Sequence, residues 1–490
     1  MATLSFVCAC VAACEASTAR DVASEDVADA QDDTATVEVD AEVDDAAAFY
    51  LAAEPQRDGD PAKGFQTLAA GAYVGCGVPA ELVPVAQGAG VFGDEPGLPG
   101  RDGDLPYYLS QFTVASGVEV VGPNCFTCHA GTVQGELFLG APGIDLDFGG
   151  FASQIASFKE QLPLAESLLS PESYAELVRF ATRLELIAPW VQTAVAGTNP
   201  ADNLAGILFS HRDRETLAWS ETPLIEPPDQ VVLPVDVPPL WRMKKKHAMF
   251  YAAAGRGDHA RIMMTTSTLC VDGRSEAEAI DKTFGDVRAW ITSLEAPRWN
   301  PAFGGEIDPV LAAEGKDLFV ATCQRCHGTY GDDDAVERYP NRWVPAEEVG
   351  TDPAVALGAA HAATRFVTWF NESFYGETAH LDPKPGYVPP PLDGIWATGP
   401  FLHNGSVPTL ATLLDASKRP RYWRRTSAWN AAELGLGYTT VEVGHDQITT
   451  NAKRFVYDTT LLGHGNGGHT YGDRLTPEQR TALLEYLKTL

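Results

Sequence analysis

The sequence predicts a mainly α-helical body made of two comparable units joined by long connecting loops. Three observations carry that prediction. Segments with helical spacing of apolar residues begin at recognisable start signals, one cysteine–histidine pattern occurs twice, and proline-rich stretches separate the periodic segments. A length of 490 residues is a soft prior for two to four domains. With 66 acidic against 35 basic side chains the net charge is -31, which argues against nucleic-acid binding because phosphate would be repelled. No stretch reaches the ~18 apolar residues of a membrane span.

Residues 1–14 (MATLSFVCACVAAC) form a short apolar run ending in small residues, and Val11-Ala12-Ala13-Cys14 resembles a bacterial lipobox. The run lacks a positive n-region. It reads as a signal segment with a lipid anchor expected at Cys14. Residues 15–48 read as an acidic disordered linker. Between Glu15 and Asp45 twelve acidic residues face Arg20 alone, so the segment repels itself and has little to bury.

The expected helices follow in order. Gln154 to Trp190 reads as one or two helices. Ser275 to Leu294 places Ala277, Ile280, Phe284, Val287, Trp290 and Ile291 on one side. Asp308 to Phe319 opens with an Asp cap and Pro309 at the first position, with Val310, Leu311 and Leu318 periodic behind it. Thr476 caps a last helix with Pro477 at its start and Leu483, Leu484 and Leu487 on its face. The proline-rich runs Pro223–Pro239 and Pro383–Pro391 read as loops. The expected units are 49–297 and 298–490.

The chemistry lies in the cysteines. Cys125-Phe-Thr-Cys128-His129 and Cys323-Gln-Arg-Cys326-His327 repeat one pattern, with Cys125 and Cys323 198 positions apart. Two thiols three positions apart on one turn reach the two vinyl groups of one porphyrin, and the adjacent imidazole falls under the iron. Zinc would need four ligands close together, and a thioredoxin site would not explain the histidine after both pairs. Two covalently bound haem c groups are therefore expected, on two cytochrome c-like haem domains. A helix running into the motif and another closing the unit fit that pattern. Thioether attachment occurs on the export side, so the periplasm, the cell surface or a secreted state is expected, including an outer-membrane lipoprotein. Cys76 and Cys270 remain, either as a disulfide or as two separate buried thiols.

Three segments carry a family resemblance. Pro389-Pro-Pro-Leu-Asp-Gly-Ile-Trp-Ala-Thr-Gly-Pro-Phe-Leu-His-Asn-Gly-Ser-Val-Pro-Thr-Leu410 resembles the signature of the bacterial di-haem cytochrome c peroxidase/MauG superfamily. Asp236-Val-Pro-Pro-Leu-Trp-Arg-Met-Lys-Lys-Lys-His-Ala-Met-Phe-Tyr251, with Gly255-Arg-Gly-Asp258 after it, resembles the rubber oxygenase RoxA branch, as does Gly465-Asn-Gly-Gly-His469. The resemblance implies unequal haems. The second would be held by His327 and His469 as an electron relay. The first, on His129, would keep an open face for O2 or hydrogen peroxide, and Trp241, Phe250 and Tyr251 would lie near it. These three aromatics would line an apolar pocket, bridge electrons between haems, or serve as ordinary core.

Other histidines compete. His464 is the rival of His469. His247, if it bound the first iron, would saturate both haems and leave an electron carrier. His403 matches a superfamily histidine and reads as structural; His211, His259, His361, His380 and His445 read as satisfied polar residues. Lys244, Lys245, Lys246 and Arg256 would neutralise haem propionates or form a solvated loop.

The expected function is an oxidoreductase: a RoxA-like haem dioxygenase cleaving a hydrophobic alkene or polyisoprenoid. The alternatives are a di-haem peroxidase, which needs a distal acid/base that the sequence does not assign, and a non-enzymatic electron-transfer cytochrome. Expected partners are O2 or peroxide, a hydrophobic polymer or small alkene, and a small redox protein donor.

Overall fold

Each expected unit is framed by two crossing helices that meet at a glycine. The computed structural model describes residues 49–88, 95–101, 105–133, 135–331 and 337–490. The leader, its three cysteines and the acidic linker lie outside the described residues. In the first unit Pro61–Ala70 starts on Asp60, whose carboxylate accepts from the Ala62 and Lys63 N–H groups, with proline at the first position. It packs on Arg274–Ser293. A Cβ at Gly64 would lie 1.9 Å from the Asp286 carbonyl oxygen, so only glycine permits this approach.

The second unit repeats the device. Pro309–Thr322 is capped by Asp308 and crosses Pro477–Leu487 at Gly315, where a Cβ would lie 2.0 Å from the Ala482 carbonyl oxygen. A capping box between Thr476 and Gln479 fixes the start of the closing helix. Phe319, Trp396, Leu483 and Leu487 fill the core behind the crossing.

Between its framing helices the first unit carries Phe151–Glu166 and Pro171–Ile187, followed by a 3-10 turn at Ala188–Trp190. They pack around Leu177, Phe180 and Leu184 in a core that includes Cys76 and Cys270. Those two cysteines form a disulfide across 194 residues, which resolves the open alternative.

The expectation of a mainly α body needs correction. The fold is 42% helical and 14% strand, an α-rich mixed architecture. Leu109–Thr113 and Glu119–Pro123 form a hairpin extended by Val78–Pro79, and Ala130–Val133 pairs with Glu136–Leu139 directly after the first cysteine motif. In the second unit Tyr422–Asn430 pairs with both Gly435–Thr440 and Val456–Asp458. These strands are rich in β-branched and aromatic residues, which pack well on a pleated surface.

Strands also cross between the units. Phe49 and Tyr50 pair with Trp343 and Arg342, and Gly255–Gly257 pairs with Ala379–Leu381. The loop 223–239 is irregular, as expected, whereas the 383–391 loop contains a short strand, Gly386–Tyr387, on Arg342–Pro345.

Candidate functional site

The first cysteine motif is a 3-10 turn held by its neighbours. The Asn124 side chain accepts from the Phe126 N–H at 2.8 Å and donates to the Tyr107 carbonyl and Ser110 hydroxyl, tying the turn to the hairpin. Phe126, fully buried, stands edge-on to Trp290 of the closing helix at 5.5 Å. The turn brings the His129 N–H 3.0 Å from the Cys125 carbonyl. The Cys125 N–H donates to the Tyr73 hydroxyl at 3.0 Å. Burial pushes the Cys125 and Cys128 thiols up to about 11 and about 12.

Burial also holds the His129 imidazole down to about 4, so it is neutral, the form a metal ligand requires. Its Nδ1 is buried without a bonded partner, and the Pro238 carbonyl is the polar group beside it.

At the second motif the Pro309–Thr322 helix runs straight into Cys323, whose N–H donates to the Phe319 carbonyl at 2.7 Å. His327 Nδ1 lies 2.8 Å from the Pro390 carbonyl oxygen. A carbonyl only accepts, so Nδ1 carries the proton and Nε2 presents its lone pair. The His469 ring faces it with centroids 6.1 Å apart and planes at 66°. Burial holds His327 down to about 4; for His469 burial, then the neighbouring His327 and Arg419, bring it down to about 3.

His469 is delivered by a strained loop. It has φ +47° and follows Gly468 at φ +70°, where a Cβ would strike the Gly350 backbone at 2.1 Å. Arg419 clamps the loop, donating to the carbonyls of Asn466, Gly468 and His469 at 2.7, 2.7 and 3.1 Å. The His469 N–H donates to the Val349 carbonyl at 2.9 Å.

The donor set can be tested against a haem. Two imidazoles sharing one metal, each with its nitrogen about 2 Å away, would hold their centroids about 6 Å apart. The second site has that separation. Among the described residues no group of three or more His, Cys, Asp or Glu side chains could hold a bare ion. Two imidazoles alone leave most coordination positions to something else, and a porphyrin supplies them. Cys125, Cys128, Cys323 and Cys326 are free of disulfides. The residues fit the group.

The remaining candidates separate. Trp241 is 1% exposed and donates from its indole to the Asp393 carbonyl at 2.8 Å. It stands three residues after Pro238, and Asp393 stands three after Pro390, so this contact joins the two proximal loops. Tyr251 is half-buried with its hydroxyl donating to Asp236 at 3.3 Å, and desolvation raises both groups well above their ordinary values. Phe250 is 41% exposed with φ +67° and folds back on Gly255.

His247 Nδ1 is engaged by the Leu51 carbonyl at 2.8 Å, and the His464 ring packs at 5.4 Å from Tyr457. His403 is stacked on Tyr387, with Nε2 3.1 Å from its hydroxyl. Lys244 pairs with Glu295, Lys245 with Glu337 and Asp393, and Arg256 with Glu54. Lys246 is brought down to about 8, first by burial and then by Arg242. His259 departs from expectation: 1% exposed, it leaves both ring nitrogens without a hydrogen-bond partner.

The sequence reading missed Pro238, Pro390, Arg419 and Tyr73. A signal existed for the prolines, because Val237-Pro-Pro-Leu240 and Val388-Pro-Pro-Pro-Leu392 are near repeats.

Comparison with known proteins bears on this geometry. Residues 386–424 match the family model described as RoxA-like, cytochrome c-like. The matched segment holds Pro390, whose carbonyl faces His327, and Arg419, which clamps the His469 loop. A cytochrome c-like segment implies haem c and a cytochrome c oxidoreductase type of role.

Two proteins of Sinorhizobium fredii (strain NBRC 101917 / NGR234), both named as uncharacterized, are similar to parts of the chain. Protein y4iJ is 33% identical over 262 residues, 41% of this chain and 42% of that protein. Protein y4iM is 30% identical over 218 residues, 38% and 50%. The matches span half or less of either relative's length.

Proposed function

We propose that the chain is a di-haem c-type oxidoreductase, a RoxA-like dioxygenase of a hydrophobic alkene or polyisoprenoid. In this reading the His129 site receives O2 and the His327/His469 site relays electrons. The carrying observation is the imidazole pair 6.1 Å apart at the second site. Haem c supplies an iron that exchanges single electrons and takes up a small oxidant only where a coordination position is free.

The chain's own residues do the rest. His129 and His327 are neutral, and the Pro390 carbonyl, accepting from Nδ1, orients the His327 ring so that it presents Nε2. His469, clamped by Arg419, closes the second site to exogenous ligands. Trp241, bonded to Asp393, offers a rigid aromatic path between the proximal loops. Tyr251 has its hydroxyl committed to Asp236 and its ring 6.5 Å from that of His403. The two thioether motifs support an exported protein in the periplasm or at the cell surface, with lipid attachment at Cys14 and a small redox protein as donor.

Spectra of the purified protein, as isolated and after dithionite with carbon monoxide, test the division of labour. One carbon-monoxide-reactive haem and one unreactive low-spin haem are expected. Two unreactive low-spin haems would make the protein an electron carrier. Polyisoprene with air yields cleavage products under this reading, whereas turnover only with peroxide and a reduced donor would make it a peroxidase.

A further inference from the structure

The thiols of the two motifs meet different chemistry. In the first, the neighbour of Cys125 is the neutral Tyr73 hydroxyl. In the second, Arg342 Nη1 lies 3.1 Å from Cys326 Sγ. Arg342 sits on the Arg342–Pro345 strand, paired with Tyr50 on one side, and is 2% exposed. Its other terminal nitrogen, Nη2, lies 3.2 Å from Glu348 Oε1. The cationic end of this pair is therefore turned toward the sulfur and the anionic end away from it. Arg325, beside Cys326 in sequence, is exposed and screened by water, whereas the field of Arg342 acts through protein.

We propose that Arg342 sets the redox poise of the second site by holding its reduction potential above that of the first. The inference rests on the reading of that site as a two-imidazole electron relay. Reduction adds one electron to the iron, breaks and forms no bond, and lowers the charge of the centre by one. A fixed cation at the porphyrin edge favours the reduced state, and hydrogen bonds to a haem sulfur act in the same sense. The neutral phenol at the first motif exerts no such pull. Electrons entering the molecule then collect at the His327/His469 site and are passed to the first site only when that site is oxidised.

The test is a spectroelectrochemical titration of the full-length holoprotein, following the two haem signals separately, for the wild type and for Arg342→Gln, Arg342→Lys and Glu348→Gln. The second-site midpoint should move to lower potential in R342Q, return most of the way in R342K and move to higher potential in E348Q. The first-site midpoint should stay in place throughout. Shifts of the same sign in R342Q and E348Q, no shift in either, or equal shifts at both haems would overturn the proposal. E348Q and R342K keep the charge on residue 342, so they decide the matter even if R342Q does not fold. A wild type lacking the low-spin two-imidazole signal would instead defeat the relay reading itself, which separates the two failures.

Discussion

The two cysteine–histidine motifs are built alike and finished differently. Each follows a helix that starts on an Asp-Pro pair and crosses its partner at a glycine, and each sets a proline carbonyl beside its histidine. In the second unit 14 helical residues run directly into Cys323, and a Gly-rich loop returns to place His469 opposite His327. In the first, a disulfide, a hairpin and a neutral tyrosine separate the framing helix from Cys125. One scaffold thus carries two differently finished motifs, because the histidine facing His327 comes from a loop rather than from the shared frame.

The strongest way to break this comparison is to remove the thiols. Cys125→Ala/Cys128→Ala and Cys323→Ala/Cys326→Ala should each lose one covalent haem, measured by intact-protein mass spectrometry against a two-haem wild type. Loss of both haems from either variant would show that the units are not separately loaded. Next, His469→Ala should convert the second haem from low-spin to carbon-monoxide-reactive, while His464→Ala leaves its spectrum unchanged. A His469→Ala protein that keeps a bis-histidine spectrum would assign the ligand elsewhere.

The shared frame is tested by its glycines. Gly64→Ala and Gly315→Ala drive a methyl into a backbone carbonyl at 1.9 and 2.0 Å, so the helices must separate. A loss of about 3 kcal/mol is expected for each in chemical denaturation. Gly273→Ala, with nothing within 4 Å of the added Cβ, is the control and should cost far less.

Much of the frame was legible because its signals are local. Asp308-Pro309 and Thr476-Pro477 announced their helices, and the apolar period of 275–294 placed a third within a residue. The same Asp-Pro signal stands at Asp60-Pro61, yet that helix is short and far from its motif, and it was missed. The strands of 109–123 and 422–440 were missed because their stability comes from pairing, which sequence periodicity reports weakly. The two cysteine–histidine motifs were legible from spacing alone. Pro390, Arg419 and Arg342 were not, since each acts on its site from 16 residues away or more.

Acid should act on both units through buried histidines. Burial holds His259 and His403 each down to about 4, against about 6.5 in the unfolded chain. The fold favours the neutral ring, so the stability each contributes is present above about pH 6.5 and is lost as pH falls toward 4. The loss is on the order of 3 kcal/mol per ring. Unfolding curves at pH 7, 5 and 4 should show a shallower decline for His259→Gln and His403→Gln than for the wild type. At pH 7 His403→Gln should cost more, because it also gives up the Tyr387 contact. Identical acid profiles for all three proteins would remove these rings from the account.

The smallest effect separates structure from conduction at the Trp241–Asp393 contact between the proximal loops. Trp241→Phe keeps an aromatic ring at this position but removes the indole donor to Asp393. The Asp393 carbonyl still accepts from Arg242 Nε at 3.0 Å, so it is not left bare. The expected stability loss is therefore only about 1 kcal/mol. Electron equilibration between the haems, followed after flash reduction, should stay close to wild type if the ring itself carries the coupling. If it slows markedly while both haem spectra and the stability stay intact, the path runs through the hydrogen bond to Asp393, and the two units are coupled by their backbone rather than by the aromatic plane.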